Sequence, residues 1–345
     1  MIFRQLFDAT SSTYTYILAS RRGGEAMIID PVLERVDQYL RVLDELGCRL
    51  VKAVDTHVHA DHITGLGALR DKTRCITVMG DQSSADVVSM RVREGETIDV
   101  DGISLEVLYT PGHTDDSYSF VLDDRVFTGD TLLIRGTGRT DFQHGDPRAQ
   151  YDSIFNKLLK FPAETLVYPA HDYKGETVST IGEEAAHNPR LQVSSIEEYV
   201  DIMNGLNLAH PKMIDVAVPA NRQIGAPQED DEDTSWALTP GDAMTLIAKP
   251  DTLLVDLRED VERTRDGVIP NSVRAPYKAL DDLVRPGGML RYETAQGGKR
   301  IVFYCAFGER STLAVKTAQE AGLDNVCHVV GGIDAWASAG GTLER

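Results

Sequence analysis

The pattern of apolar and polar positions predicts strands and helices that are mixed along most of the chain. Residues 14–30 alternate and then become continuously apolar on either side of Gly23-Gly24, which predicts a hairpin with a buried second strand. From Leu33 to Leu46 apolar residues recur at spacings of three and four, the period of an amphipathic helix that ends at Gly47. Short apolar runs predict further strands at residues 50–54, 76–79, 103–109, 118–122, 125–127 and 166–168.

A second series of short strands and helices follows an acidic stretch. Residues 222–235 combine Gly and Pro with an acid-rich run that cannot bury enough apolar surface to become ordered, which indicates a linker. Beyond it, apolar runs at 253–256, 301–304 and 326–330 alternate with helical patterns, as expected for a compact α/β unit. A chain of 345 residues exceeds the usual size of one hydrophobic core. We therefore predict a first domain at 1–221, a linker at 222–237 and a second domain at 238–345.

Charge and cysteine usage narrow the classes of function. Asp and Glu number 54 against 35 Lys and Arg, so the net charge of −19 argues against nucleic acid or an anionic membrane as a partner. The chain has no stretch of about 18 apolar residues and no signal-peptide pattern near its start, so a cytoplasmic location is expected. The four cysteines, Cys48, Cys75, Cys305 and Cys327, are scattered and form no Cys-x-x-Cys pair, so no disulfide framework is expected.

Residues that commonly bind metals follow four of the predicted strands directly. The stretch THVHADH follows the strand at 50–54, and TPGHT, TGD and PAHD follow three later strands. Imidazole and carboxylate ligands suit zinc, iron or manganese, and loops at strand ends can bring them together. The sequence therefore predicts one metal centre built from His57, His59, Asp61, His62, His113, Asp130 and His171.

In this order the four motifs resemble the metal motifs of the metallo-β-lactamase-fold superfamily, over residues 1 to about 220. The resemblance implies an αββα sandwich with the metal at one edge of its two sheets. The two-zinc hydrolases of this superfamily, such as glyoxalase II, use all seven positions. The matching residues here are His57, His59 and His113 for one ion, Asp61, His62 and His171 for the other, and Asp130 as a bridge.

Three further stretches resemble the persulfide dioxygenase branch of the superfamily: RGTGRTDFQHGD at 135–146, PAHDYKG and NPRL. That branch holds a single Fe(II) through residues matching His57, His113 and Asp130. Three coordination positions then stay open for a persulfide sulfur and O2. On this interpretation the remaining metal-motif residues, His59, Asp61, His62 and His171, orient the ligands by hydrogen bonds. The basic and aromatic residues expected to meet the carboxylates of a glutathione moiety are Arg139, Tyr173, Lys174 and Arg190.

The stretch FYCAFGERST, residues 303–312, places Cys305 between an apolar strand and a helical pattern that begins at Ser311. Backbone N–H groups and a helix N-terminus at this position lower a thiol pKa and bind an anion, and Arg310 would add positive charge. Together with LLVDLRE, GVIPNSVRAP and VVGGIDAW, the stretch resembles a rhodanese domain over about 238–345. The resemblance implies that Cys305 accepts a sulfane sulfur as a persulfide.

The chain as a whole resembles a persulfide dioxygenase–rhodanese fusion of mixed α/β class. The expected substrates are glutathione persulfide with O2, and thiosulfate with glutathione; the expected cofactor is one Fe(II) per chain. Two alternatives stay open. The first domain would be a thioester hydrolase if it holds two Zn, and the second would be a sulfur carrier or sensor if a Cys305 persulfide forms without turnover. The sequence also leaves open a homo-oligomer.

Overall fold

The structure is a computed structural model that describes residues 1–209, 211–224, 236–295 and 297–345. The chain divides into two compact units, Met1–Asp86 with Met90–Ile224 and Val87–Ser89 with Gly225–Arg345. Most of the predicted linker, residues 225–235, lies outside the described residues. Within the described ranges no helix combines the length and the hydrophobicity needed to cross a bilayer.

The first unit is built around two six-stranded sheets. Its strands are β1 (Ile2–Asp8), β2 (Thr13–Ala19), β3 (Glu25–Ile29), β4 (Arg49–Val54), β5 (Ile76–Gly80), β6 (Met90–Val92), β7 (Thr97–Val100), β8 (Ile103–Tyr109), β9 (Tyr118–Leu122), β10 (Arg125–Gly129), β11 (Leu132–Leu133), β12 (Gly136–Thr137), β13 (Leu166–Pro169) and β14 (Ser179–Thr180). Its helices are α1 (Val36–Leu46), α2 (Leu66–Thr73), α3 (Pro147–Tyr151), α4 (Ile181–His187), α5 (Ile196–Asn204) and α6 (Ile214–Arg222). The strand orders are β1-β2-β3-β4-β5-β6 and β14-β13-β10-β9-β8-β7, while β11 and β12 form a separate pair.

Apolar side chains on the inner faces hold the two sheets together. The Tyr16 ring of β2 lies 5.0 Å from Phe127 of β10 and 5.6 Å from Tyr168 of β13, measured between ring centroids. Valines of the second sheet pack against Ile154, in the π-helical segment Asp152–Lys157 that follows α3, and against Tyr199 of α5. Helices α1 and α2 contact β4 of the first sheet. The predicted αββα sandwich is confirmed.

The structure confirms the strongly patterned elements. Strands β2 and β3 form the predicted antiparallel hairpin, and α1 ends at Gly47 as expected. Residues 33–35 were predicted to belong to the same helix, but they form a separate 3₁₀ turn ahead of α1. Strand β1 was not predicted, since its residues are mostly half-buried and show no clean alternation.

The second unit contains one five-stranded sheet in the order β15-β19-β18-β16-β17. Its strands are β15 (Ala237–Leu238), β16 (Thr252–Asp256), β17 (Val273–Arg274), β18 (Arg300–Tyr304) and β19 (Val326–Val329), and its helices are α7 (Pro240–Ile247), α8 (Asp260–Asp266), α9 (Leu280–Val284), α10 (Met289–Ala295), α11 (Glu309–Glu320) and α12 (Gly332–Ser338). Every neighbouring pair is parallel. Cys305 therefore lies at the carboxyl end of a central strand, where loops of parallel sheets commonly form binding sites.

A close contact at Gly80 gives a test of the sandwich packing. A Cβ atom at this position would lie 2.0 Å from the ring of Tyr118, which is buried. We expect Gly80→Ala to lower the free energy of unfolding by about 1–3 kcal/mol, because the ring has to move within a packed core. Urea titration followed by far-ultraviolet circular dichroism measures the change.

Gly67→Ala is the matched control, since Gly67 lies in α2 of the same unit and a Cβ atom there would lie 3.4 Å from its nearest neighbour outside the helix backbone. This substitution should be neutral or stabilising, because alanine favours the helix. Equal stability of the two variants would contradict the packing described for Gly80.

Candidate metal centre and cysteine loop

Seven potential ligands from four strand-end loops meet at one edge of the two large sheets. The loop after β4 carries the HxHxDH motif, and the loops after β8, β10 and β13 supply His113, Asp130 and His171. Gly112 and Gly129 precede two of these residues and adopt φ values of 137° and 53°, so both loops need glycine to turn into the site. The seven residues fall into two groups, His57 with His113 and Asp130, and His59 with Asp61, His62 and His171.

The first group presents three unpaired ligand atoms. The Thr56 hydroxyl donates to the Asp30 carboxylate, so its Oγ1 accepts from the Nδ1–H of His57 at 2.9 Å. The Nδ1–H of His113 donates to the Arg139 carbonyl at 2.6 Å. Both rings therefore keep a lone pair on Nε2, as metal-ligating histidines require. Asp130 uses Oδ1 on His171, and its Oδ2 lies 3.6 Å from His113 Nε2, beyond hydrogen-bonding distance. In the described part of the chain, two imidazole lone pairs and one carboxylate oxygen thus converge without partners, which fits a divalent metal ion.

The second group is partly satisfied by hydrogen bonds among its own members. His171 Nε2 lies 2.8 Å from Asp61 Oδ2, and His62 Nδ1 lies 3.0 Å from the same oxygen. Thr13 Oγ1 adds a contact of 3.1 Å to His171 Nε2. Two buried nitrogens, His59 Nδ1 and His62 Nε2, have no hydrogen-bond partner among the described residues, although Asp61 Oδ1 lies 4.0 Å from the former. The group therefore contains both paired and unpaired ligand atoms.

Burial and mutual charge set the protonation of the site. Burial would lower the pKa of His171, but the charges of Asp130 and Asp61 outweigh it and hold this pKa well above its usual value. Burial would raise the pKa values of Asp61 and Asp130, but the charge of His171 and its hydrogen bonds outweigh burial, so both pKa values are lowered. Burial, followed by the charges of neighbouring imidazoles, places the pKa values of His57 and His59 well below normal. The site thus holds one imidazolium between two carboxylates beside neutral imidazoles.

Asp30 supports the metal centre and was not identified from the sequence. Its Oδ1 accepts hydrogen bonds from Thr56 N at 2.8 Å and from His59 Nε2 at 3.1 Å. Burial raises its pKa to about 6, although His57 acts against this. The signal that could have found it is its position directly after β3, the same strand-end position that marked the motif residues.

Asn221 is a second residue that the sequence analysis missed. It lies in α6, and its Nδ2 donates to the carbonyls of His59 and His62 at 2.9 and 2.8 Å, while its Oδ1 accepts from Thr64 N at 2.8 Å. Its partners are backbone atoms far away in the sequence, so no motif could reveal it.

The four predicted substrate-binding residues occupy different environments. The Arg139 guanidinium forms a bidentate pair with Asp141 at 2.6 and 2.7 Å. Arg190 donates to the carbonyl and hydroxyl oxygens of Thr137. Tyr173 is 69% exposed, with its ring parallel to that of His171 at 6.0 Å, and Lys174 is also exposed. The two arginines thus fix the 135–146 loop, and the tyrosine and lysine side chains face solvent beside the metal motifs.

The cysteine loop surrounds the sulfur with hydrogen-bonding groups. Cys305 is 1% exposed, and Gly308 N–H donates to its Sγ at 3.2 Å. The Ser311 hydroxyl lies 3.7 Å from the same sulfur. Helix α11 begins at Glu309, so Cys305 lies before a helix N-terminus as the sequence predicted.

Arg310 is buried within α11 and forms a bidentate pair with Glu262 of α8, at 2.8 and 2.6 Å. Burial would lower its pKa, but the Glu262 charge outweighs it and the pKa is raised. Its Nε has no partner among the residues that the structure describes. The positive charge expected near Cys305 is therefore present together with a neutralising carboxylate.

The other cysteines have environments typical of packing residues. Cys75 and Cys327 are buried, Cys48 is half-buried, and all four cysteines are free thiols. Burial raises the pKa of the Cys327 thiol.

Comparison with protein families divides the chain in the same way. Residues 9–85 and 80–171 match the metallo-beta-lactamase superfamily, and residues 239–339 match the rhodanese-like domain. A metallo-beta-lactamase from Staphylococcus aureus shares the fold over 96% of this chain and 99% of its own, with a TM-score of 0.61 and 22% identity.

Closer relatives are found for the first unit. The mitochondrial persulfide dioxygenases ETHE1 of Mus musculus and Homo sapiens are each 47% identical over 228 residues, which cover 65% of this chain and 89% of the relative. ETHE1 from Myxococcus xanthus, known from a crystal structure, shares 55% sequence identity with this chain at a TM-score of 0.63. The match covers 64% of this chain and 98% of that chain. Such identity over nearly the whole length of these relatives exceeds what a shared fold alone would give. The chain therefore belongs to the persulfide dioxygenase ETHE1 family and carries, in addition, a C-terminal rhodanese-like domain.

Proposed function

We propose that the first unit oxidises glutathione persulfide with O2 to sulfite and glutathione, using one Fe(II) held by His57, His113 and Asp130. The main support for this proposal is that three free ligand atoms, one from each of these side chains, point to one place. The other polar atom of each side chain is already hydrogen-bonded within the protein. Two imidazoles and one carboxylate are the ligand set of non-haem Fe(II) oxygenases, whereas redox-inactive zinc cannot activate O2. Identity with the persulfide dioxygenases supports the same choice.

The reaction balances without any further cofactor. One persulfide, one O2 and one water give one thiol and one sulfurous acid, as both oxygen atoms pass to the outer sulfur and water releases the thiol. Bound iron would supply open coordination positions and the redox chemistry that O2 requires.

The residues of the chain hold the ligands and protons in place. The Arg139 carbonyl and the Thr56 hydroxyl keep the two histidine rings in the tautomer with Nε2 free. His171 keeps a proton on Nδ1, so Asp130 stays ionised with Oδ2 available. His57 is itself buried, which limits its contact with bulk water.

We propose that the carboxylates of the glutathione moiety bind on the side of the site formed by Arg139, Tyr173, Lys174 and Arg190. The exposed Tyr173 ring offers an apolar face, and the exposed Lys174 ammonium offers a mobile positive charge. Arg139 and Arg190 would act mainly by holding the loop, because their guanidinium groups already have oxygen partners.

For the second unit we propose transfer of sulfane sulfur between thiosulfate and glutathione through a Cys305 persulfide. The buried sulfur accepts a hydrogen bond from the Gly308 N–H and lies before the N-terminus of α11, an environment that stabilises an anion. We further propose domains at 1–221 and 238–345 joined by a linker at 222–237, and a cytoplasmic location, which the four free thiols support.

A specific observation favours a second candidate for the first unit, a two-zinc thioester hydrolase. The unpaired nitrogens His59 Nδ1 and His62 Nε2 could each accept a metal. Against this, Asp61 Oδ2 and His171 Nε2 are bonded to each other at 2.8 Å and would both have to be released for a second ion.

Metal content measured together with O2 uptake on glutathione persulfide distinguishes the two candidates. The anaerobically purified protein should contain about one iron per chain and consume O2 with formation of sulfite. Asp130→Asn should lose iron and O2 uptake together, because it replaces a charged ligand with a neutral amide. His62→Gln is the matched control and should keep about one iron, with activity lowered no more than about 100-fold. About two zinc ions per chain, with no O2 uptake, would overturn the proposal in favour of the hydrolase.

Lys174→Ala should raise KM for glutathione persulfide about twofold to fivefold and leave kcat within about twofold, since an exposed charge contributes about 1 kcal/mol or less to binding. Steady-state O2 uptake measures both constants. The exposed Lys160, in the 3₁₀ turn ahead of Phe161, is the control, and Lys160→Ala should change neither constant. An unchanged KM in Lys174→Ala would remove this residue from the substrate site.

Cys305→Ser should lower thiosulfate:glutathione sulfurtransfer by about a thousandfold or more, because it removes the nucleophile. O2 uptake on added persulfide should stay within about twofold of wild type. Cys327→Ala should leave both rates unchanged. If the wild-type protein forms a Cys305 persulfide that free glutathione does not consume, the second unit is a carrier instead.

A further inference from the structure

A chain of three buried side chains runs from the reactive cysteine into the sheet of the second unit. Cys305 Sγ lies 3.7 Å from Ser311 Oγ, and Ser311 Oγ lies 3.2 Å from His328 Nδ1. All three residues are almost completely buried. Cys305 follows β18, Ser311 lies in the first turn of α11, and His328 lies in β19, which pairs directly with β18.

The surroundings of His328 determine which of its nitrogens carries the proton. Its Nε2 is buried and has no hydrogen-bond partner in the described part of the chain. The Trp236 ring packs against the His328 ring, with 5.2 Å between the two centroids. Buried N–H groups without an acceptor are rarer in proteins than buried acceptors without a donor, so Nε2 is expected to carry the lone pair. Burial also lowers the His328 pKa to about 4, so the ring is neutral near pH 7. The favoured form is therefore neutral, with Nδ1–H donating to Ser311 Oγ.

This donation directs the single hydroxyl proton of Ser311. Because Ser311 Oγ accepts from His328, its own O–H points to one of two acceptors, the Gly308 carbonyl at 2.9 Å or Cys305 Sγ at 3.7 Å. While the sulfur is a thiol, S–H can donate to Ser311 and the hydroxyl can donate to Gly308. Once the sulfur is an anion, rotation of the hydroxyl adds a charge-assisted hydrogen bond beside that from Gly308 N–H.

We propose that His328 is a positioning residue for sulfur transfer, which holds the Ser311 hydroxyl so that it donates to Cys305 Sγ whenever this sulfur is negatively charged. The proposal rests on the sulfurtransferase activity proposed above. There the Cys305 thiolate attacks the outer sulfur of thiosulfate, an S–S bond forms, and the electron pair of the broken S–S bond leaves with sulfite. Attack of a thiolate acceptor on the persulfide then releases the Cys305 thiolate again, so the charged sulfur occurs both as nucleophile and as leaving group.

A role in packing alone does not account for a histidine at this position. An apolar side chain in β19 would fill the same space without a buried, unpartnered nitrogen, which costs free energy. The other ionisable groups near the loop are Glu309 and Arg310 of α11, Glu262 of α8 and Asp334 of α12. None of these is altered by substituting Ser311 or His328.

The test is the pH profile of Cys305 alkylation by iodoacetamide in the full-length protein, read at the Cys305 peptide by mass spectrometry. Ser311→Ala and His328→Phe should raise the apparent pKa of Cys305 by about one unit, a tenfold change in the thiolate fraction. Sulfurtransfer kcat/KM, measured at pH values below this apparent pKa, should fall about tenfold with it. His328→Asn, which keeps a side-chain N–H near the Nδ1 position, should recover most of the effect.

The double variant Ser311→Ala/His328→Phe should match Ser311→Ala alone, because His328 acts through the serine. Cys327→Ala, which alters the neighbouring residue of β19, is the control and should keep the wild-type profile. Far-ultraviolet circular dichroism verifies folding. If His328→Phe does not fold, His328→Leu replaces it: a raised apparent pKa of Cys305 supports the proposal, and an unchanged one overturns it.

An unchanged profile in a folded His328→Phe, or additive effects in the double variant, would overturn the positioning role. Failure of the proposed sulfurtransferase is a separate result. In that case wild-type protein would not pass sulfur from thiosulfate to glutathione, while the alkylation profiles would still report the hydrogen bond to the thiolate.

Discussion

The imidazolium of His171, held between the carboxylates of Asp61 and Asp130, is the interaction on which the metal centre depends. Two carboxylates buried this close together would repel each other and lose hydration without compensation. His171 donates one ring N–H to each of them and so allows both to stay ionised. By engaging Oδ1 of Asp130 it also leaves Oδ2 for a metal, and by engaging Asp61 it withdraws a ligand from a second ion. One side chain therefore influences both the charge of the site and which of its ligand atoms are free.

This arrangement requires a scaffold that holds loops from both sheets within hydrogen-bonding distance. The aromatic contacts of Tyr16 with Phe127 and Tyr168 fix the first sheet against the second. A backbone hydrogen bond also joins the two sheets beside the site: Tyr14 N–H donates to the carbonyl of Ala170, the residue before His171, at 2.7 Å. Asn221 then fixes the backbone on the other side, at His59 and His62. The positions of the ligands thus result from core packing as much as from the motifs.

The reactions proposed for the two units would stabilise sulfur anions by different physical means. In the first, two imidazoles and one carboxylate would offer lone pairs to a metal ion. In the second, Gly308 N–H and the Ser311 hydroxyl offer hydrogen-bond donors to Cys305 directly. A persulfide is the substrate proposed for the first unit and the intermediate proposed for the second. Their presence on one chain is consistent with a role in the metabolism of sulfane sulfur.

The sequence determined the fold class and the candidate ligands because both rest on local patterns. Period-two and helical spacing predicted β2, β3, α1 and the central strands, and each metal motif follows a strand directly. Elements with little local pattern, such as β1 and the two-residue strands, could not be predicted because neighbours in space stabilise them.

Hydrogen-bond partners were decided only by the tertiary structure. The sequence placed His57, His113 and Asp130 in a candidate set of seven, and only the contacts with Thr56, Arg139 and His171 show which ligand atoms are free. Asp30, Asn221 and His328 lacked a motif, because their partners are distant in the sequence. A motif records which chemical groups a loop carries, whereas tautomer, charge and free lone pairs depend on the atoms that folding brings within about 3 Å.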